Sequence, residues 1–374
     1  MPDSVVIVGA GVIGLTIAHQ LLLDIQSQSS ASKLKKLTFI SRNYPNDEPL
    51  THEYTSPWAG AHFRPFPHRP EAYETDKRES AYTRVTYKFF QKFAAEHPES
   101  TIEFMKGVDW LAKPTSEYLG LGPGLSKDSL VDLRTLSKPE LPPGVEYGCE
   151  YLTWCLNAPE YLKFLQAQVE QLCLRLRIPL EFSRLNLTSL QDIEKWFGGT
   201  NVVFNASGTG LLYSGGYDPK SFSIRGQTLL LNVPNPNSIR YAHATITHQG
   251  NDGSWTFVIK RPASNGKPQY ILGGTKQLDD DLIVPREADT QALLSRARKL
   301  FPDLLFPDGS FDIVRVNVGF RPARQAGSRV ELEASPENGL KIVHAYGFGG
   351  MGYEVSVGAA QHAIRLYKSR PSRL

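Results

Sequence analysis

The chain has 374 residues and a mass of 41.7 kDa, with 41% hydrophobic and 21% charged residues. At roughly 100–200 residues per domain, that length means two or three domains or one large α/β unit with an insertion, and the apolar content excludes a mainly disordered chain. Lys+Arg 41 against Asp+Glu 38 leaves a formal charge of +3, too balanced for a nucleic-acid binder working through a large basic field. Cys149, Cys155 and Cys173 make no disulfide framework and read as buried thiols in a reducing compartment. No apolar run approaches the roughly 18 residues of a membrane span. The first residues lack the basic stretch of a signal peptide.

In chain order, residues 4–8 read as a buried strand, followed by Gly9-Ala10-Gly11-Val12-Ile13-Gly14 and an apolar helix. Residues 37–40 form a second strand, so the chain opens as strand, glycine turn, helix, strand. Residues 71–97 predict a helix whose apolar face is Tyr82, Val85, Phe89, Phe90 and Phe93. Residues 114–148, rich in Pro, Gly and Ser, predict a long irregular stretch, either a lid or an oligomer contact. A helix is expected from Ala158 to Leu180, then a short strand at 202–204. Antiparallel strands are expected at 227–233, 255–260 and 269–273, and a helix at 287–301. Strands near 312–318, 329–333 and 341–345, a glycine-rich turn at 347–352 and a helix at 354–367 complete the reading.

Gly9, Gly11 and Gly14 match Gly-X-Gly-X-X-Gly. The first two permit a tight turn and close backbone approach to a pyrophosphate. The third lets helix and strand pack closely, and the helix N-terminus offers N–H groups to phosphate. A nucleotide cofactor follows, with a nicotinamide-dependent dehydrogenase or a non-catalytic nucleotide-binding module as rivals. The acid usual at the end of the second strand is replaced by Ser41-Arg42-Asn43. Arg42 there can pair with phosphate or stack on adenine.

Several further motifs occur in order: Ser56-Pro57-Trp58-Ala59-Gly60-Ala61, Asn157-Ala158-Pro159, Asn205-Ala206-Ser207-Gly208, Arg225-Gly226-Gln227-Thr228, Gly319-Phe320-Arg321-Pro322-Ala323-Arg324 and His344-Ala345-Tyr346-Gly347-Phe348-Gly349-Gly350. With the opening glycines, the chain resembles the D-amino-acid oxidase family over nearly its whole length. The resemblance implies an α/β fold, with a Rossmann-like FAD-binding domain built from 1–60, 150–225 and 315–374. A substrate domain with a mixed or antiparallel sheet would take 61–149 and 226–314. It also implies FAD as cofactor, hydride transfer from a D-amino acid to flavin N5, and a 2-oxo acid, ammonia and hydrogen peroxide as products. No metal is expected. A homo-oligomer stays open.

The resemblance assigns FAD contacts to Gly9, Gly11, Val12, Ile13, Gly14, Ser41, Arg42, Ser56, Ala59, Gly60, Ala61, Gly208, Gly349, Gly350, Gly352 and Tyr353. Arg321 would bind the substrate α-carboxylate through its planar fork, and Tyr353 would be a second catalytic candidate beside the flavin. Gly350 would also line the substrate site. A family tyrosine that helps hold the carboxylate is matched here by Phe257, which has no hydroxyl. His62, Arg64 and Lys276 depart from the members that take neutral substrates. As polar or cationic groups they point to D-aspartate, with D-glutamate, because a neutral substrate leaves a buried cation unpaired. The alternative is an oxidase of neutral D-amino acids. Ser372-Arg373-Leu374 is a variant of the Ser-Lys-Leu peroxisomal address, which implies an import receptor as partner and the peroxisome as location.

Overall fold

The computed structural model describes residues 3–27, 34–126, 130–334 and 340–369. Ser372-Arg373-Leu374 lies outside the described residues. The strands are β1 (Ser4–Val8), β2 (Lys36–Ser41), β3 (Glu103–Leu111), β4 (Arg134–Thr135), β5 (Tyr147–Cys155), β6 (Leu180–Arg184), β7 (Val202–Asn205), β8 (Ser221–Asn232), β9 (Ala244–Gln249), β10 (Trp255–Arg261), β11 (Gln269–Gly273), β12 (Gln277–Leu278), β13 (Asp312–Arg324), β14 (Arg329–Ala334) and β15 (Lys341–Tyr346). The helices are α1 (Val12–Ser27), α2 (Tyr73–Glu96), α3 (Ser116–Leu119), α4 (Ala158–Leu176), α5 (Asp192–Trp196), α6 (Glu287–Leu300) and α7 (Gly352–Lys368). The chain divides into two compact units. The first comprises Met1–Pro57, Leu162–Ser223 and Arg321–Leu374; the second comprises Trp58–Tyr161 and Ile224–Phe320.

The first unit holds a sheet in the order β14-β15-β7-β1-β2-β6 among the described residues. β1 runs parallel to both β2 and β7, and among the described residues only β14 is antiparallel to its neighbour. Its central strands β1 and β7 are short, apolar and largely buried, as parallel strands require, while the edge strands β6 and β14 carry charged residues. Val6 and Val8 pack with Leu187, Leu190 and Ile193 on one face. Helix α1 is buried from Val12 through Leu22, and its Gln20 accepts a 3.0 Å hydrogen bond from Gln361 on α7. Because the chain turns from β1 to β2 on one side and meets β7 on the other, the carboxyl end of β1 is a topological switch point, where open α/β sheets bind ligands.

The second unit holds a sheet in the order β12-β8-β11-β10-β9-β3-β5-β4 among the described residues, with β13 pairing β8. β10 with β11 and β9, β8 with β11 and β12, and β5 with β3 and β4 pair antiparallel, whereas β3 and β9 run parallel. Period-two alternation sorts its side chains. Leu229, Leu231, Val258 and Leu272 join Leu293, Ala297 and Phe301 in one core. Leu230, Ile259 and Ile271 face the other way with Met105, Cys155 and Phe257.

Three expectations change. Helix α4 stops at Leu176, because Arg177 takes a left-handed φ of 57° and Pro179 follows; Leu180 begins strand β6. On α2 the buried face is Tyr82, Thr83, Thr86, Tyr87, Phe90 and Phe93, while Val85 is exposed. The stretch 114–148 contains α3, β4 and the start of β5, and buries Tyr118, Leu125, Leu130 and Leu133. The three cysteines are buried free thiols, each pushed up in pKa by burial.

Candidate active site

In the first unit, the glycine turn lies at the carboxyl ends of β1 and β7. Gly9 has φ 100°, and a Cβ there would strike the Ala206 carbonyl. A Cβ on Gly14 would strike the Gly9 carbonyl and lie 3.2 Å from Ile7 Cγ2. The first clash keeps the turn against β7, and the second keeps α1 on β1. The turn is also tied by side chains: Ala10 N–H donates to Ser41 Oγ at 3.3 Å, and Val12 N–H donates to Ser56 Oγ at 3.1 Å. Helix α1 has no acid in its first turn, so nothing local cancels the positive end of its dipole.

The start of α7 reaches the same place. A Cβ on Gly352 would lie 3.6 Å from Val12 Cγ1. Tyr353 is buried, and its hydroxyl donates to the Ser56 carbonyl at 3.0 Å. Ser56 thus joins the first turns of α1 and α7. The tyrosine read as catalytic has this structural bond for its hydroxyl. Gly347 N–H donates to the Gly208 carbonyl at 3.0 Å, and Ala323 bridges Phe348, which sets the end of β13 beside the 347–350 turn. A Cβ on Gly350 would lie 3.7 Å from Arg321 Cδ. Arg321 is half-buried, and desolvation pulls its guanidinium below the usual value. A desolvated cation has the most to gain from meeting a carboxylate. Nearby, Arg324 pairs with Asp218 at 2.8 Å, and Tyr346 donates to the same carboxylate at 2.8 Å. Against the opposing effect of burial, these bonds hold Asp218 down at about 2. Arg42 is exposed and pairs with Glu53 at 3.2 Å.

A turn where no Cβ fits at Gly9 or Gly14, two helix N-termini meeting at a switch point and an acid-free first turn together suit a dinucleotide phosphate. Gly9, Gly11, Val12, Ile13 and Gly14 would hold the pyrophosphate side of FAD. Gly208, Gly349, Gly350 and Gly352 would line the flavin side.

In the second unit, Ala59, Gly60 and Ala61 follow the division at Pro57. A Cβ on Gly60 would lie 2.8 Å from Ile259 Cδ1. The Ala61 carbonyl accepts from Leu156 N–H at 3.0 Å, next to the bridge between His62 and Cys155. The His62 ring stacks on Phe257 at 6.5 Å, and its Nδ1 lies 3.3 Å from Thr245 Oγ1. Burial, aided by Arg64, pulls His62 down to about 3, so its ring is neutral at neutral pH. Phe257 itself lies over Gly273, whose Cβ would collide with the ring.

Arg64 proves to have a partner of its own, and it is not a cation held in reserve. Its fork meets Asp109 through Nε at 3.1 Å and Nη2 at 3.0 Å; Nη2 also donates to the Tyr118 hydroxyl at 3.0 Å. Its guanidinium lies 4.8 Å from the Trp255 ring centroid. Asp109 is 0% exposed and also accepts from the Tyr151 hydroxyl at 3.2 Å. Sequence reasoning missed Asp109 because its partner lies 45 residues away, and no local pattern marks it. Lys276 is exposed, and no partner for its ammonium occurs among the described residues.

The family model for FAD dependent oxidoreductases matches residues 4–366. A D-aspartate oxidase of Talaromyces thermophilus is 34% identical over 98% of this chain and 95% of its own length. A D-amino-acid oxidase of Schizosaccharomyces pombe is 31% identical over 98% and 96%. Among solved structures, glycine oxidase from Bacillus cereus superposes with a TM-score of 0.68 at 15% identity, covering 98% of this chain and 96% of that one. L-proline dehydrogenase from P. horikoshii gives 0.69 at 13% identity, covering 98% and 94%; these two likenesses establish the fold. With two relatives matched over nearly its whole length and the cradle in place, the chain belongs to the family of FAD-dependent oxidoreductases that includes the fungal D-aspartate and D-amino-acid oxidases.

Proposed function

We propose that this protein oxidises acidic D-amino acids, D-aspartate foremost and D-glutamate as well, to the 2-oxo acid, ammonia and hydrogen peroxide. FAD, when bound, supplies the acceptor for the α-hydrogen and returns the electrons to oxygen. The chain's own residues bind and orient. Arg321 holds the α-carboxylate as a bidentate pair, and its desolvation strengthens that pair. Fixing the carboxylate decides which face of Cα presents its hydrogen.

The observation that carries the acidic preference is Lys276, an exposed cation with no partner among the described residues. It supplies the second positive charge that a dicarboxylic substrate needs. Neutral His62 can add a hydrogen bond to the side-chain carboxylate but no charge. Arg64, already paired, drops out of the substrate set. A second reading, oxidation of neutral D-amino acids, draws support from that loss of two cations and from the apolar Phe257.

Anaerobic bleaching of the yellow protein with D-aspartate and D-alanine side by side tests the choice. Faster bleaching by low D-aspartate is expected, and faster bleaching by low D-alanine would overturn the acidic reading. Lys276→Met should raise KM for D-aspartate far more than for D-alanine. We also propose delivery to peroxisomes through Ser372-Arg373-Leu374. A fluorescent fusion that carries the tripeptide should be punctate, and a diffuse signal would end that idea.

A further inference from the structure

Arg225 of the second unit is a fully satisfied buried cation. Its side chain is 0% exposed, where an unpaired guanidinium would be very costly. A guanidinium has five N–H bonds, and Arg225 has five acceptors. Nε donates to the Leu282 carbonyl at 2.7 Å. Nη1 donates to Gln277 Oε1 at 2.6 Å and to Asp289 at 3.2 Å. Nη2 donates to Gln227 Oε1 at 3.1 Å and to the Val284 carbonyl at 2.9 Å. The acceptors on Gln277, Leu282, Val284 and Asp289 all belong to the segment that leaves β11 and runs into α6. One side chain on β8 therefore pins that whole segment.

Lys276 lies inside the pinned region, with both chain neighbours locked. On one side, Thr275 N–H donates to the Gln227 carbonyl at 3.1 Å, and Thr275 Oγ1 accepts from Gln227 N–H at 2.8 Å. On the other, Gln277 joins Arg225 and also donates to Asp289 at 3.0 Å. Two of the local acids are engaged by arginines: Asp280 pairs with Arg286 at 2.8 Å, and Asp289 with Arg225 and Arg286 at 3.2 and 3.4 Å, while Asp279 and Asp281 are exposed. The backbone on both sides is held, two nearby carboxylates are committed to arginines and the Lys276 ammonium is exposed. An ordinary surface turn needs no buried guanidinium to hold it.

We propose that Arg225, with Gln277 and Thr275, is the positioning device that fixes where Lys276 presents its charge, and so sets the preference for a dicarboxylic D-amino acid. This rests on the acidic reading proposed above. Arg225 acts through Lys276 and does not itself touch substrate. A lysine whose flanking backbone is held has less to reorganise when it meets a side-chain carboxylate than one on a mobile turn, and so discriminates better.

Thr275→Val removes one hydroxyl at constant shape. It should lower the ratio of kcat/KM for D-aspartate over D-alanine about tenfold, with the loss in KM for D-aspartate. Placed on Lys276→Met, the same change should leave the ratio where Lys276→Met alone puts it, since the device has nothing left to position. Arg225→Lys keeps a charge but loses the fork, and should reproduce the loss of ratio more strongly. If it does not fold, the Thr275 and Lys276 cycle decides alone. Equal losses for both substrates, or the same D-aspartate penalty with and without Lys276, would overturn the proposal. Failure of the underlying reading looks different: Lys276→Met alone would then leave the ratio unchanged, and both ideas would go.

Discussion

The two units organise their sites by opposite means. The first relies on missing side chains. Gly9 and Gly14 let backbone touch backbone at the end of β1, and Gly347, where a Cβ would lie 2.7 Å from Arg324 Cβ, lets the turn come close to β13. The second unit relies on large charged side chains buried among others. Arg64 and Asp109 form one hub, and Arg225 with Gln227, Gln277 and Asp289 forms another. The difference suits the ligands. A cofactor with a fixed pyrophosphate needs backbone N–H groups at close range. A substrate site must tell one small side chain from another, which needs charges held in place.

The largest effect should come from filling the space in the first unit. Gly14→Ala places a methyl group on the Gly9 carbonyl. Ordinary core overpacking costs about 1–3 kcal/mol because side chains shift; here the obstacle is backbone in the turn itself. We expect protein that purifies colourless and does not regain flavin absorbance on titration with FAD. Yellow, fully loaded Gly14→Ala protein would break the contrast between the units.

The corresponding lesion in the second unit removes one member of a hub. Asp109→Ala leaves the Arg64 guanidinium buried without its carboxylate, a change that costs about 3–5 kcal/mol in comparable buried pairs. The denaturant midpoint should fall accordingly. The double variant Arg64→Met with Asp109→Leu should recover much of the loss, since an apolar pair has no charge to desolvate. No recovery would mean that the hub positions the chain in a way that apolar packing cannot replace.

The same contrast explains what could be read from the sequence. Gly9, Gly11 and Gly14 lie within six residues, and each glycine position has a local physical reason, so the cradle and its cofactor are visible at once. β1, β2 and β7 show as apolar runs for the same local reason. The hubs join Arg64 to Asp109 and Arg225 to Asp289, 45 and 64 residues apart. Nothing in the local pattern separates a buried arginine from a solvated one, so Arg64 read as a free cation and Arg225 as a mere motif member. Strands β3, β5 and β9 were missed because Asp109, Glu150 and Thr247 interrupt their apolar runs. Two of the interrupting groups are bonded in the fold: Asp109 to Arg64, and Glu150 on β5 to Arg134 on β4 and Lys106 on β3.

A smaller effect concerns pH. His62 has a pKa of about 3 in the folded protein against about 6.5 for an unperturbed histidine. Between those values the unfolded chain binds a proton that the folded chain does not. This contribution is complete above about pH 6.5 and is lost as pH falls towards 3. His62→Asn removes the group, so the variant's denaturant midpoint should drop less than the parent's between pH 7 and pH 4. Parallel drops would mean that the ring is protonated without penalty and has access to water. A cationic His62 would then return to the set of groups able to hold a side-chain carboxylate.

The smallest effect concerns an exposed charge of the first unit, beside its glycine turn. Arg42 follows β2, where the sequence offers it to phosphate or adenine, and the structure pairs it with Glu53 at 3.2 Å with both side chains nearly half exposed. An exposed pair of this kind is worth about 0–1 kcal/mol, so Arg42→Ala should leave folding stability nearly unchanged. The pair of variants, read by FAD titration, separates two roles. If Arg42 serves the cofactor, Glu53 competes for it: Arg42→Ala should weaken FAD binding a few-fold and reduce its salt dependence, while Glu53→Ala should tighten it. If the pair is only a surface contact, both substitutions should leave the dissociation constant alone. Opposite signs are the expected outcome, because Ala10 and Val12 already spend their N–H groups on Ser41 and Ser56. The cradle then has fewer free backbone donors for a doubly charged pyrophosphate, and the Arg42 guanidinium, once released from Glu53, supplies charge from the end of β2.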